Sequence, residues 1–155
     1  MKKILLIIYT LFAFMVNANS QVLISTSDLK GTKWQHEGDY YKKSSSYSEF
    51  NEGEWISYDS YSGGTTFIYY LSNYIDTKFD YNKVGKNTSG RYLIKIYPQT
   101  GDMMCFSIKS FSKTNGEMVL ITEHGGIYSG VTNTYFLMPI DSVKHPIVDG
   151  ADNGW

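Results

Sequence analysis

Residues 91–111 read RYLIKIYPQTGDMMCFSIKSF, and the fold follows from this stretch. Two runs rich in Tyr, Ile, Phe and Met flank a turn signal, Gln99 to Asp102. Aromatic and β-branched residues suit a pleated, half-buried backbone, and a glycine-containing polar cluster between two such runs reads as a reversal of the chain. Side chains of a strand alternate between its faces. Tyr92, Ile94 and Ile96 therefore share one side of the first run, while Leu93, Lys95 and Tyr97 share the other, where the lysine marks the wet face. In the second run Met104, Phe106 and Ile108 stand opposite Cys105, Ser107 and Lys109. Two strands joined this closely pair antiparallel.

The same rhythm extends in both directions. Strands are expected near 34–41, 54–59, 65–72, 75–81, 91–98, 103–111, 117–124 and 134–140, eight in all. Turn signals separate them at Asn51 to Gly53, Ser62 to Gly64, Gly85 to Gly90, Asn115-Gly116 and Gly125-Gly126. In the seventh strand Glu117 and Glu123 bracket the outer side, and Met118, Leu120 and Thr122 point inward. No segment after residue 20 repeats apolar residues at helical spacing over three turns; Ser25 to Lys30 makes at most one short helix, with Ser27 as its cap. The fold class is therefore all-β, an antiparallel meander of about eight strands. Closure into a β-barrel removes exposed edges, and a two-sheet β-sandwich is the alternative. From about residue 141 the chain carries Pro146, glycines and aspartates without periodicity, a loose tail that includes Trp155.

The amino terminus has the three parts of an export signal: Lys2 and Lys3, an apolar run from Ile4 to Val16, then small residues. The run is shorter than the roughly 20 residues a membrane-spanning helix needs, so it reads as a signal peptide over residues 1–20. Cleavage after Ser20 leaves Gln21 first, with cleavage after Ala18 the alternative. The expected product is one exported domain, residues 21–155, periplasmic or extracellular. A lipid anchor needs a cysteine at the cut, and the one cysteine is Cys105. A single cysteine also excludes an internal disulfide, leaving stability to a packed core. Without Lys2 and Lys3 the 14 basic residues become 12 against 15 acidic ones, a charge of −3. With one arginine and scattered lysines, neither nucleic acid nor a membrane surface is an expected partner.

The opening Leu29-Lys30-Gly31-Thr32-Lys33-Trp34, followed by a strand meander that ends with Tyr135 to Ile140, resembles the lipocalin-like domains of small secreted bacterial proteins, within the calycin group. The resemblance covers roughly residues 29 to 140. It implies an eight-stranded barrel whose floor is closed by a tryptophan, and Trp34 is the matching position.

The most unusual feature is the count of 14 tyrosines. Tyrosine offers a flat contact with a polar tip, favoured in pockets and interfaces, and is equally a good strand former. Adjacent pairs such as Tyr40-Tyr41 and Tyr69-Tyr70 must point to opposite faces. Inward parity nominates Tyr70, Tyr92 and Phe106 as ligand-binding residues lining an interior pocket. His36, His124 and His145 are far apart and share no metal-ligand spacing, so no metal site and no cofactor are expected. Cys105, between Met104 and Phe106, reads as a structural thiol. Glu52 and Glu54 around Gly53 read as a solvated turn, and Asn87-Thr88-Ser89 as a turn rather than a glycosylation site. No nucleophile elbow, phosphate loop or zinc motif occurs, and no enzyme is expected.

Two function classes remain. One is a binding module that holds a small apolar or amphipathic ligand within the barrel. The other is a non-catalytic domain that contacts a protein or glycan through exposed tyrosines. An outer-membrane barrel is disfavoured, because Lys95, Lys109, Glu117 and Glu123 would face lipid.

Overall fold

The computed structural model describes residues 21–38, 46–58 and 63–139. The elements run β1 (Ile24–Ser25), α1 (Thr26–Leu29), β2 (Thr32–His36), β3 (Tyr47–Phe50), β4 (Glu54–Tyr58), β5 (Thr65–Ser72), β6 (Ser89–Gly90), β7 (Tyr92–Tyr97), β8 (Asp102–Ser112), β9 (Glu117–His124) and β10 (Thr132–Met138). Eight of the strands close into an antiparallel barrel in the order β10-β2-β3-β4-β5-β7-β8-β9. Each barrel strand therefore lies beside its sequence neighbour, and β10 returns to β2 to remove the edges. This is the expected meander, and the barrel replaces the sandwich alternative. β1 and β6 form a separate two-stranded sheet.

Local chemistry sets the reversals. Gly53 has φ 79° between β3 and β4, and a Cβ there would lie 2.5 Å from the backbone nitrogen of Gly85. Only glycine meets both demands, positive φ and close approach of a second chain segment. Gly116 sits at φ 67° in the Asn115-Gly116 turn between β8 and β9. Within that hairpin the register shifts twice, at Cys105/Phe106 and at Ile108/Ser110. Such bulges add twist and help a sheet curl. The second also flips the alternation, so Phe111 instead of Ser110 turns inward, pairs with Met118 and packs 5.7 Å from Trp34 between ring centroids.

The amino-terminal segment closes one end of the barrel. Ser25 caps α1: its backbone N–H and its hydroxyl both donate to the Asp28 carboxylate, at 2.8 and 2.7 Å. The cap is thus Ser25, where the sequence suggested Ser27. Leu29 is fully buried against the same cluster as Trp34, Phe50 and Met118. Complete burial of such a side chain stabilises by roughly 1.5–3 kcal/mol. The Thr26 backbone N–H donates to the Thr88 carbonyl at 2.8 Å, and the Thr88 hydroxyl accepts the Leu71 N–H at 2.9 Å. The Asn87-Thr88-Ser89 segment therefore fastens the closed end to the wall.

Three expectations are corrected. Residues 75–81 form no strand; the chain there crosses the outside of the wall, ends in a 3-10 turn at Tyr81–Lys83 and packs Phe79 onto Tyr70 at 5.0 Å. The eighth strand is instead β3, whose four residues were too few to announce themselves; cross-strand pairs hold it, Tyr47 stacked on Tyr58 at 4.7 Å and Glu49 facing Lys33 at 3.6 Å. The faces of β7 are reversed. Leu93 and Lys95 point into the barrel, whereas Ile94 and Ile96 join Tyr70, Phe79 and Cys105 in a second cluster outside it. Because the segment after β5 covers this wall, both faces of β7 are buried, and its lysine does not mark water. The alternations read for β8 as far as Ile108 and for β9 hold, with Phe106, Ile108, Met118, Leu120 and Thr122 inward.

Lys109, Glu117 and Glu123 are exposed. No described helix is long and apolar enough to cross a membrane. The export signal, Tyr40-Tyr41 and the tail from 141 lie outside the described residues.

Candidate binding site at the barrel mouth

Lys95 is the chemical centre of the barrel. Its position on β7 pairs with Tyr69 of β5 and Met104 of β8, so its side chain projects into the interior. There the ammonium nitrogen lies 3.8 Å from the Trp55 ring centroid, 4.2 Å from Phe67 and 5.3 Å from Phe106. Those three rings come from three different strands, and the register that pairs Trp55 with Phe67 places two of them side by side. The residue is 8% exposed. Among the described residues no carboxylate forms an ion pair with it.

A buried ammonium loses several kcal/mol of hydration. Desolvated aromatic faces return about 2 kcal/mol or more each way of approach. Burial draws the Lys95 amine down to about 7, and the three ring faces, which favour the charged form, work against that shift. This side chain gives up its proton more readily than a solvated lysine does.

A cavity of about 260 Å³ at the other end of the barrel reaches this lysine. His36, Tyr47, Tyr58 and Tyr135 stand around it, with Trp55 and Lys95 also in its lining. His36 packs edge-on against Tyr135 at 5.4 Å, and Tyr135 meets Trp55 at 6.3 Å. Burial raises the phenols of Tyr47, to about 12, and of Tyr135, so both remain protonated near neutrality. Trp55 is 2% exposed and its Nε1–H has no acceptor. A buried donor left unmet costs about 1–3 kcal/mol.

The residues nominated from sequence separate. Phe106 lies in the barrel interior beneath Lys95. Tyr70 and Tyr92 face outward, opposite to the inward parity assumed for them. The Tyr70 hydroxyl donates to Asp76 at 2.7 Å and accepts the Asp80 N–H at 3.2 Å, pinning the segment that covers the wall. Lys83 adds an ion pair to Asp76 at 3.1 Å. Tyr92 accepts from Gln21 Nε2 at 3.0 Å. Sequence reasoning missed Trp55, Lys95 and Tyr135. The available signal was Leu93-Ile94-Lys95-Ile96, an apolar run on both parities, which marks a strand buried on two faces.

Other candidates are less suited to chemistry. Burial pushes the Cys105 thiol up to about 12, with Glu123 and Asp76 adding to the rise, which keeps it protonated. Glu52 pairs with Lys30 at 2.7 Å on the surface. No group of three metal-ligating side chains occurs among the described residues. A larger, open groove of about 940 Å³ runs past Phe79, Tyr81, Met103 and Tyr128 on the outside and reaches Phe67, Tyr97 and Met104, on the inner parity of their strands, at the barrel rim. Phe67 contributes to its wall as well as to the Lys95 cage. The smaller site has the perturbed amine, and this favours it over the larger groove as the place where a small molecule is held.

No protein-family model matches the chain, and comparison with curated proteins and with solved structures found no match.

Proposed function

We propose that the protein is a binding module that takes a small apolar or amphipathic ligand into the open end of its barrel. The observation that carries this reading is the cavity that descends from the mouth to Trp55 and Lys95. Apolar walls with a few convergent polar groups are the usual composition of a small-molecule site. Its volume of about 260 Å³ falls a little below the usual 300–1,000 Å³, which restricts the ligand to one ring and a short chain. The lower half of the barrel is filled by Trp34, Phe50, Leu29 and Met118, so the ligand occupies the mouth rather than the whole interior. The likeness of the 29–140 pattern to lipocalin-like domains is in keeping with this use, and so is export to a periplasmic or extracellular setting.

The test is titration of the purified protein with 3-phenylpropan-1-ol while Trp fluorescence is followed. A saturable change that Trp55→Phe abolishes supports the reading. Absence of any saturable change, together with no molecule recovered by extraction of the freshly purified protein, overturns it.

A second reading is favoured by the outer groove. Tyr81 and Tyr128 line it and are 62% and 57% exposed, with Ile127 beside Tyr128 at 90%. This is the surface a protein or glycan partner would use. Glycan-array or pull-down binding that Tyr81→Ala and Tyr128→Ala remove, with the Trp signal unaffected, would select it.

A further inference from the structure

We propose that Lys95 is a carbonyl-capture site: its side-chain amine condenses with an aldehyde-bearing ligand in the mouth cavity to form an imine. The inference rests on the small-ligand reading above and specifies the chemistry of that ligand. Its geometric basis is a buried amine with no described carboxylate ion-pair partner, held against three aromatic faces, that lines the mouth cavity together with Trp55.

Each part answers a need of the reaction. The nucleophile must be the free amine, and burial without a carboxylate supplies it; an ion pair would hold the proton in place. The Trp55, Phe67 and Phe106 faces fix the side chain along one direction, and Trp55, which lines the cavity, offers an apolar surface to the body of the ligand. The imine nitrogen, once protonated, keeps the aromatic contacts that the ammonium makes.

The step balances without any oxidant or reductant. The Nζ lone pair attacks the carbonyl carbon, a C–N bond forms, and the C=O π pair moves to oxygen. One amine proton passes to that oxygen to give the carbinolamine. The C–O bond then breaks, the second amine proton leaves with the oxygen, and one water departs through the mouth as C=N forms. Water returning by the same route reverses the capture, so the ligand is held but not consumed.

The experiment incubates the full purified chain with 3-phenylpropanal at pH 7 and sodium cyanoborohydride, which reduces an imine to a stable amine. Intact mass counts the adducts and peptide mapping locates them. The proposal expects one dominant adduct, on Lys95, with labelling at least about ten-fold above any other lysine, since a solvated lysine near pH 7 is almost wholly protonated. Excess 3-phenylpropan-1-ol should slow it by occupying the same cavity, and Lys95→Arg should remove it. Labelling spread evenly over surface lysines, or none, overturns the proposal. If the alcohol still gives its saturable Trp signal in that case, the binding reading stands and only the covalent step falls. If the alcohol gives no signal either and extraction recovers no molecule, both fall. The mapping on the unmodified sequence decides the matter even where Lys95→Arg folds poorly.

Discussion

The Lys95 ammonium nitrogen sits 3.8 Å from the centroid of the Trp55 ring, inside a barrel where no described carboxylate pairs with it. The contact holds the amine, but it offsets only part of the hydration lost.

Replacing the charge by an apolar chain of similar length should therefore stabilise the fold. Lys95→Met is expected to raise the unfolding free energy by a few kcal/mol at pH 6, and by less at pH 9, where the native amine is already neutral. Urea denaturation at both pH values measures this. An equal gain at both would mean that burial of the charge is not the cause.

The pH profile of the native protein carries the same signature. The amine falls from 10.5 in the unfolded chain to about 7 in the fold. Between those values the unfolded chain binds more protons, so stability rises as pH rises through 7 toward 10. Burial raises the phenols of Tyr69, Tyr70 and Tyr135 instead. Above about pH 10 the unfolded chain loses those protons while the fold keeps them, and stability falls. A maximum near pH 9 to 10 in thermal or urea unfolding is the expected outcome; a plateau from pH 6 to 10 would contradict it.

Tyr70→Phe tests the outer wall. Loss of the hydroxyl leaves Asp76 and the Asp80 N–H without that partner, at a cost of about 1–2 kcal/mol. Amide exchange should quicken over residues 73–88, while the fluorescence response to 3-phenylpropan-1-ol at the mouth keeps its affinity. Altered affinity would bring Tyr70 back into contact with the ligand site.

Gly90→Ala should be among the most damaging small changes. A Cβ there would stand 2.1 Å from the Ser72 carbonyl oxygen, part of the backbone at the end of β5. Backbone has no rotamer by which to give way, so β6 must move. The expected loss is about 2–4 kcal/mol by chemical denaturation.

The barrel was legible in the sequence because its turns are chemically explicit and its strands short and alternating. Glu117 and Glu123 located the wet side of β9, and Lys109 that of β8. The same rule failed at Lys95, since alternation shows that two faces differ and cannot say which is inside when both are apolar. That ambiguity came from residues 73–88, whose Phe79 and Tyr81 alternate like a strand yet serve as a cover. β3 escaped notice because Tyr47-Ser48-Glu49-Phe50 owes its conformation to its neighbours, through Tyr58 and Lys33, more than to its own propensity. Of Tyr70, Tyr92 and Phe106, only Phe106 faces the barrel interior. Trp55 and Tyr135 reach Lys95 through the closure of the barrel, a relation between distant strands that no local pattern carries.

The cover over the outer wall also bears on Cys105, which is buried in the same cluster as Phe79. A lone thiol in an oxidising compartment can link two copies of a chain through an intermolecular disulfide. Here the sulfur is both shielded and held protonated, so dimerisation by oxidation would have to wait for the flap of residues 73–88 to lift. The wall cover thus stands between the chain's one thiol and any second copy that would pair with it.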